Sequence, residues 1–551
     1  MRAGSAIIDT LIANGHRVGF GVPGESYLAL LEGMRLSRQM HGEDGFRFIN
    51  TRHESGAGFA ADAYARISGQ PGLAFVTRGP GACNASIAVH TAAQDSVPMV
   101  LFVGQVASHE KGREAFQEID YAQMFASIAK AVLEPHAPEA CAGITARALA
   151  LAASGRPGPV VVVLPEDVTR AEIGEVTIPI VGPFARSAPQ ATDIGKAAGL
   201  IDAAARPVVI AGELIGADHA YAPLAALVQR CGAGVIASFR RQDVIDNDEE
   251  AYLGHGGLGR PPYLTKSLDE ADLIVLAGAR PDDVTSAQFT SPRADQQVIH
   301  IFPHADILAR LPASTIKLAA APSPALGALA EACAPAPPER LAWRRQARAG
   351  FEAWQRKPHD AQGSVDLADI AASVQAMKPR DAITTNDAGN FATWMHRYLR
   401  WHTPRSQAAP ANGAMGYAVP GALGARIAAP GRTVIAFVGD GGASMTGLEL
   451  KSAREAKAPV KVIVCDNAVY GTILMHQEKT FGAQALHGVG IERIDFAALA
   501  ESCGALGVRV ERTDAFAEAF ARALAHDGPA LIHVLSDPRD ISAARSVVSL
   551  G

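Results

Sequence analysis

Nine short apolar runs, rich in β-branched residues, punctuate the chain: LAFVT from Leu73, PMVLFVG from Pro98, PVVVVLP from Pro159, RPVVIAG from Arg206, ADLIVLAG from Ala271, QVIHIF from Gln297, RTVIAFVG from Arg432, VKVIVC from Val460 and PALIHVL from Pro529. They are apolar on both faces, as central strands of a parallel sheet are. Alanine-rich helical stretches lie between them, such as GFAADAYARI from Gly58 and GLELKSAREAKA from Gly447. The rhythm predicts an α/β chain. Two proline-rich seams interrupt it, TIPIVGPFARSAPQ from Thr177 and APAPPER from Ala334. They divide the chain into three blocks, expected at residues 1–175, 190–332 and 360–551, each long enough for one doubly wound parallel sheet. Ligands of such sheets sit beyond the carboxyl ends of the strands, so the loops there are where chemistry is expected.

Composition narrows the class. The chain has 551 residues, 48% hydrophobic and only 19% charged, which suits several large cores and argues against long disorder. A net charge of -6 leaves no basic excess for nucleic acid or an anionic membrane, so neither is an expected partner. No segment approaches the 18 or more apolar residues of a membrane span, and the opening MRAGSAIIDTLIANG lacks the unbroken apolar stretch of a secretory signal. The six cysteines contain no Cys-x-x-Cys pair, so they read as reduced thiols, and the cytoplasm is the expected compartment.

Two places carry candidate chemistry. In the third block a strand runs into Gly439, Asp440, Gly441, Gly442 and Ala443 and then a helix. Backbone N–H groups there suit a phosphate, and the Asp440 carboxylate suits a hard divalent cation. A tight structural turn is an equally good account of this pattern alone. The next strand, VIVC from Val462, ends in Asp466, Asn467, Ala468, Val469, Tyr470, Gly471 and Thr472. Asp440, the side-chain oxygen of Asn467 and the carbonyl of Val469 suit one octahedral Mg2+, with diphosphate oxygens and water completing its shell. In the first block, Arg52-His53-Glu54-Ser55-Gly56-Ala57-Gly58 opens a helix expected to run to about Ser68, with Gly69 as its stop. By physics alone, Glu54 is also explained as a helix-start carboxylate facing the dipole.

The GDG motif followed by Asp466-Asn467 resembles the signature of thiamine diphosphate enzymes, whose pair is usually Asn-Asn. Its first position departs here; the second, the metal ligand, is kept. The Arg-His-Glu run, the segment ThrArgGlyProGlyAlaCysAsn from Thr77, GlyArgGluAlaPheGlnGlu from Gly112 and AspAlaGlyAsnPhe from Asp387 resemble the acetolactate synthase branch, and the likeness covers essentially the whole chain. It implies a pyrimidine-binding first block, a noncatalytic central block and a diphosphate-binding third block, with Gly389, Asn390 and Phe391 beside the diphosphate. It also implies that Glu54 bonds N1' of the cofactor's aminopyrimidine, so that the cofactor's own 4'-imino group becomes the base. Met415 is then the wedge that props the folded cofactor, and the Gly413 carbonyl accepts from its 4'-amino group. A loop methionine packed into the core is the other reading of Met415. Because Glu54 of one subunit meets the cofactor of its neighbour in this family, a homodimer at least is implied, with a homotetramer expected.

The substrate is less legible. Glu25, in GlyValProGlyGluSerTyr, matches a position that points into the site of several relatives, and a solvated turn glutamate is the alternative. Phe116 and Gln117 match the Phe-Gln that borders acetolactate synthase active sites, and His109 falls where those enzymes have a histidine. Near the place of the tryptophan that selects their second keto acid stands His476, either an acid or base for the adduct or a surface histidine, and Thr472 and Ile473 are expected to line the pocket. GlyHisGlyGly from Gly254 and GlyAlaArgProAspAspVal from Gly278 match the family's FAD segments only in part, so FAD is left open and not expected.

The resulting expectation is a thiamine diphosphate- and Mg2+-dependent carboligase. It decarboxylates a small 2-oxo acid and transfers the acyl-anion equivalent to an acceptor. The alternative is a 2-oxo acid decarboxylase or carbon-carbon lyase of the benzoylformate decarboxylase or benzaldehyde lyase kind. A noncatalytic cofactor-binding protein is argued against by intact Glu54, Asp440 and Asn467. A nucleotide enzyme is argued against because GDGG lacks both the Walker lysine and the Rossmann glycine spacing.

Overall fold

A computed structural model describes residues 1–182, 185–312, 315–356 and 359–547; residues 183 and 184 in the middle of the first seam, 313 and 314 of the expected central block and 548–551 of the expected third block lie outside these ranges. It contains three six-stranded sheets, parallel throughout. The first comprises β1 (Val18–Gly21), β2 (Arg47–Asn50), β3 (Gly72–Val76), β4 (Met99–Gln105), β5 (Ala131–Leu133) and β6 (Pro159–Pro165), in the order β2-β1-β3-β4-β6-β5. The second comprises β7 (Pro207–Ala211), β8 (Gly234–Ala237), β9 (Tyr252–His255), β10 (Leu273–Ala277), β11 (Gln297–Ile301) and β12 (Ile316–Leu318), in the order β12-β11-β10-β7-β8-β9. The third comprises β13 (Ile383–Asn386), β14 (Gln407–Ala408), β15 (Val434–Gly439), β16 (Lys461–Asp466), β17 (Leu506–Val510) and β18 (Ala530–Leu535), in the order β14-β13-β15-β16-β18-β17.

All nine predicted runs are strands, and their side chains are almost wholly buried because helices cover both faces of each sheet. In the first sheet the chain turns outward after β1 and returns on its other side at β3; in the third it does the same between β13 and β15. These reversals open the crevices in which doubly wound sheets hold ligands. No helix among the described residues is long and apolar enough to cross a membrane.

The first and third blocks share one core. Helix Glu54–Ser68 lies against helix Ala418–Ala428 so closely that a side chain at Gly424 would overlap the Ala60 carbonyl. Charges are buried in this seam, and they are paired, as their desolvation requires. Arg66 bonds Asp62 and Asp95 at 2.6 Å each, the Tyr417 hydroxyl donates to Asp62 at 2.7 Å, and Arg241 of the central block reaches Asp95 at 2.5 Å. Asp95 also accepts from the Ala411 N–H, at 3.1 Å for Oδ2, which anchors the segment leading to Met415.

Candidate active site

Register brings the third-block residues together. Gly439 pairs with Cys465 across β15 and β16, so Asp440 and Asp466 leave the sheet side by side. Asp440 begins helix Asp440–Thr446 directly, so the glycines expected to form a turn occupy the first turn of that helix. A side chain at Gly442 would overlap Asp387 Oδ2, which explains glycine there. Asp440 Oδ1 accepts from the Gly441 N–H at 2.9 Å, while Oδ2 is buried with no hydrogen-bond partner. Burial first, and then the neighbouring Asp466, push the Asp440 carboxyl up to about 7. An orphaned, destabilised carboxylate oxygen is what a bound divalent cation relieves.

After β16 the chain bends at Ala468, whose φ is 58°. Asn467 Oδ1 accepts from the Val469 N–H at 3.3 Å, and the loop is pinned by Tyr470 N–H to the Val489 carbonyl and Ile491 N–H to the Ala468 carbonyl, both 2.8 Å. Asp466 takes no part in the cavity wall: it is buried, 2.8 Å from His533 Nε2 and 3.3 Å from Arg493 Nε. The residue that departs from the family pattern therefore has its own cationic and imidazole partners.

A cavity of about 710 Å³ results. Asp440, Asn467 and Val469 line it together with Gly389, Asn390, Phe391, Gly413, Met415, Gly439, Gly441, Gly442, Tyr470, Gly471, Thr472 and Ile473. Asn390 Oδ1 accepts from the Thr472 hydroxyl at 3.1 Å, joining two of its sides. Met415 stands between Gly413 and Gly416, both at φ 78°, a left-handed backbone that glycine adopts freely. Asp387, at the end of β13, holds this loop by accepting from the N–H groups of Gly416 (2.6 Å) and Ala418 (2.5 Å); burial pushes its carboxyl up to about 6.

Two of the third-block candidates lie outside the wall of this cavity. The Ala443 side chain packs into the core shared with the first block, while its backbone N–H stays in the first turn of helix Asp440–Thr446 with those of Gly441 and Gly442. His476 stands one helical turn beyond Thr472, is exposed, and does not line the cavity either.

The first-block candidates form a separate group at the carboxyl ends of their own sheet. Glu54 begins helix Glu54–Ser68, capped at the far end by Gly69 with φ 78° as expected. Its Oε2 accepts from Asn84 Nδ2 at 2.9 Å. Glu25 is mostly exposed and pairs with Arg78 at 3.0 Å, which also bonds Glu166 at 2.6 Å. The Gln117 carbonyl accepts from the Gly79 N–H at 3.1 Å, placing Gln117 beside that helix start. Phe116 and His109 are exposed, the latter on the turn Ser108–Glu110. None of these residues lines the cavity around Asp440 within the same chain. Sequence reasoning missed the roles of Arg78, Asn84 and Asp387, although all three stood in stretches singled out by resemblance.

Comparison with known proteins agrees with the layout. Residues 1–124 match the model of the thiamine pyrophosphate enzyme N-terminal TPP binding domain, residues 194–329 that of the central domain, and residues 387–534 that of the C-terminal TPP binding domain. The chain is 30% identical to the acetolactate synthase large subunit of Parasynechococcus marenigrum, over 96% of this chain and 86% of the relative. It is likewise 30% identical to the probable acetolactate synthase large subunit of Methanocaldococcus jannaschii, over 98% and 93%. For the acetolactate synthase large subunit of Lactococcus lactis the identity is 29%, over 96% and 91%.

Proposed function

The chain belongs to the thiamine pyrophosphate enzymes, in their acetolactate synthase-like branch, and from that premise we propose that it is a Mg2+-dependent carboligase of a small 2-oxo acid. The observation that carries the metal is the buried, unpartnered Oδ2 of Asp440 beside Asn467 and Val469. In this reading Asp440, the Asn467 side-chain oxygen and the Val469 carbonyl hold Mg2+, and the absence of side chains at Gly441 and Gly442 leaves room for the diphosphate. Met415 props the cofactor against the loop tied down by Asp387. When bound, thiamine diphosphate supplies an electron sink for breaking the bond between a keto carbon and its carboxylate. Glu54 holds the proton at N1' of the aminopyrimidine and so sets the cofactor's protonation state. Gln117 and Glu25 border the reacting carbon, Glu25 being oriented by Arg78.

Glu54 does not line the Asp440 cavity of its own chain, which supports a homodimer whose sites each join the first block of one subunit to the third block of the other. The cytoplasm is the compartment that suits six unpaired cysteines, five of them buried. A second reading, a decarboxylase or carbon-carbon lyase, draws on the exposed His476 where relatives select an acceptor with tryptophan.

Product analysis separates the two. Purified protein is incubated with thiamine diphosphate, Mg2+ and pyruvate, with Glu54→Gln as the control. Acetolactate from the wild type alone supports the carboligase; acetaldehyde in its place supports the decarboxylase. No product, with cofactor bound, directs the search to longer and aromatic 2-oxo acids.

A further inference from the structure

A second cavity, of about 490 Å³, opens between the central and C-terminal blocks and touches the first only through Leu258, Thr393 and His396. Its walls come from the turn after β9, helix Ala392–Tyr398, the side chains of Trp354, His359 and Asp360, and residues 542–546. Two histidines meet in it edge to face: the rings of His255 and His396 lie 5.3 Å apart, and both side chains are more than nine-tenths buried. Nδ1 of His255, Nε2 of His396 and Nε of Arg260 are all buried without a hydrogen-bond partner, as is Nε2 of His359, which faces the Asp540 carboxylate at 3.8 Å. A buried polar atom left unsatisfied is destabilising, so the three that face no carboxylate call for a ligand that satisfies them.

The chemistry of the wall selects the ligand. Burial pushes His255 down to about 4 and His396 well below the ordinary imidazole range, so both rings are neutral at pH 7 and able to donate one N–H each. The charged side chains are three guanidiniums, Arg260, Arg397 and Arg545, against one carboxylate, Asp360. That excess disfavours a cation. Among the described residues, the three-residue group spaced to hold a metal is elsewhere, at Asp246, Asp248 and His402, and Arg380 and Arg400 already pair with its carboxylates. Arg545 is engaged with Glu478 at 2.6 Å, and Arg397 donates to the Trp354 and Ala543 carbonyls. Arg260 gives one N–H to the Thr285 carbonyl at 2.8 Å and keeps Nε open. One open guanidinium edge and two neutral ring nitrogens suit a single negative charge on a planar group better than a phosphate dianion.

We propose that this cleft binds a small monocarboxylate, received by Arg260 Nε and the open ring nitrogens of His255 and His396, at a site separate from the catalytic cavity. Thr393 and His396 face both cavities, so the occupant sits next to the reacting site without entering it. The assignment stands whichever reaction the neighbouring cavity performs.

The test is calorimetric titration of the holoenzyme with acetate and, separately, with inorganic phosphate. Arg260→Met and His255→Leu serve as variants because neither residue lines the Asp440 cavity. The site predicts that acetate binds the wild type, that each variant weakens it at least about tenfold, and that thiamine diphosphate affinity is unchanged in both. A wild-type crystal structure in acetate, which does not depend on the variants folding, is predicted to show a carboxylate on the three nitrogens. Acetate affinity equal in wild type and variants, preference for phosphate, no acetate binding, or water alone on the three nitrogens would each overturn it.

Discussion

Glu449, in the C-terminal block, accepts at Oε1 the backbone N–H groups of Arg52 (3.0 Å) and His53 (3.1 Å), the two residues that precede Glu54. The carboxylate is buried, Oε2 accepts from the Ser452 hydroxyl at 2.6 Å, and a side chain at Gly56 would overlap Oε1. One block therefore sets the start of the helix that carries the candidate catalytic acid of another. Glu449→Ala leaves both N–H groups unsatisfied and is expected to cost about 3 kcal/mol, with Glu449→Gln, which keeps one acceptor, losing less. Thermal melting of the two variants checks the order.

Asp440 carries opposite consequences for stability and binding. Its buried carboxylate lacks a partner, so Asp440→Asn is expected to stabilise the metal-free protein at pH 8 by about 1 kcal/mol or more. The same change is expected to weaken Mg2+-dependent binding of thiamine diphosphate about a hundredfold. Melting without metal and calorimetry with it must move in opposite directions.

Gly442→Ala places a methyl group on Asp387 Oδ2, the acceptor that holds Gly416. The expected result is a loss of about 1–3 kcal/mol in stability from overpacking, with cofactor affinity reduced because the Met415 loop shifts. Unchanged affinity in an equilibrium titration contradicts the role given to Asp387.

The central block has its own acid sensitivity. His300 lies fully buried in β11, its Nε2 donating to the Ala279 carbonyl at 3.0 Å, and burial pushes its pKa down to about 4. The unfolded chain therefore takes up this proton more readily. The stability this group provides is complete above about pH 6.5 and is lost as pH falls toward 4, by up to about 3 kcal/mol. His300→Gln is expected to remove that share of the pH dependence between 6.5 and 4, as measured by denaturant titration.

Much of the fold was legible because its central strands are buried on both faces. Runs such as Val160–Leu164 and Val434–Val438 present no polar side to obscure them. The unread strands are mostly short or at sheet edges: β2, β5, β12 and β17 have partly exposed residues, and β14 has only two. β1 was hidden for another reason, since its Gly19 and Gly21 carry no hydrophobic signal yet admit the rings of Phe75, Phe46 and Phe48. Helix Glu54–Ser68 was readable to its end because Gly69 provides the left-handed cap.

In the site, the residues around Asp440 were legible because they cluster within a few positions after three strands. The partners that orient the candidates were not. Glu449 lies nearly four hundred residues from Arg52, and Asn84 reaches Glu54 from the next helix but one strand away. No local pattern marks such a pairing. His476 shows the converse: a likeness to relatives places it in the sequence, and the helix that follows Tyr470 leaves it exposed one turn beyond Thr472.

The claim that one active site joins two subunits is tested most directly by mixing two inactive variants, Glu54→Gln and Asp440→Ala, with refolding or co-expression to exchange subunits. Random pairing makes about half the dimers mixed, each with one site free of both changes, so turnover of the 2-oxo acid should return to about a quarter of wild type. Mixed dimers that form and remain inactive would contradict a site built from Glu54 of one chain and Asp440 of its partner.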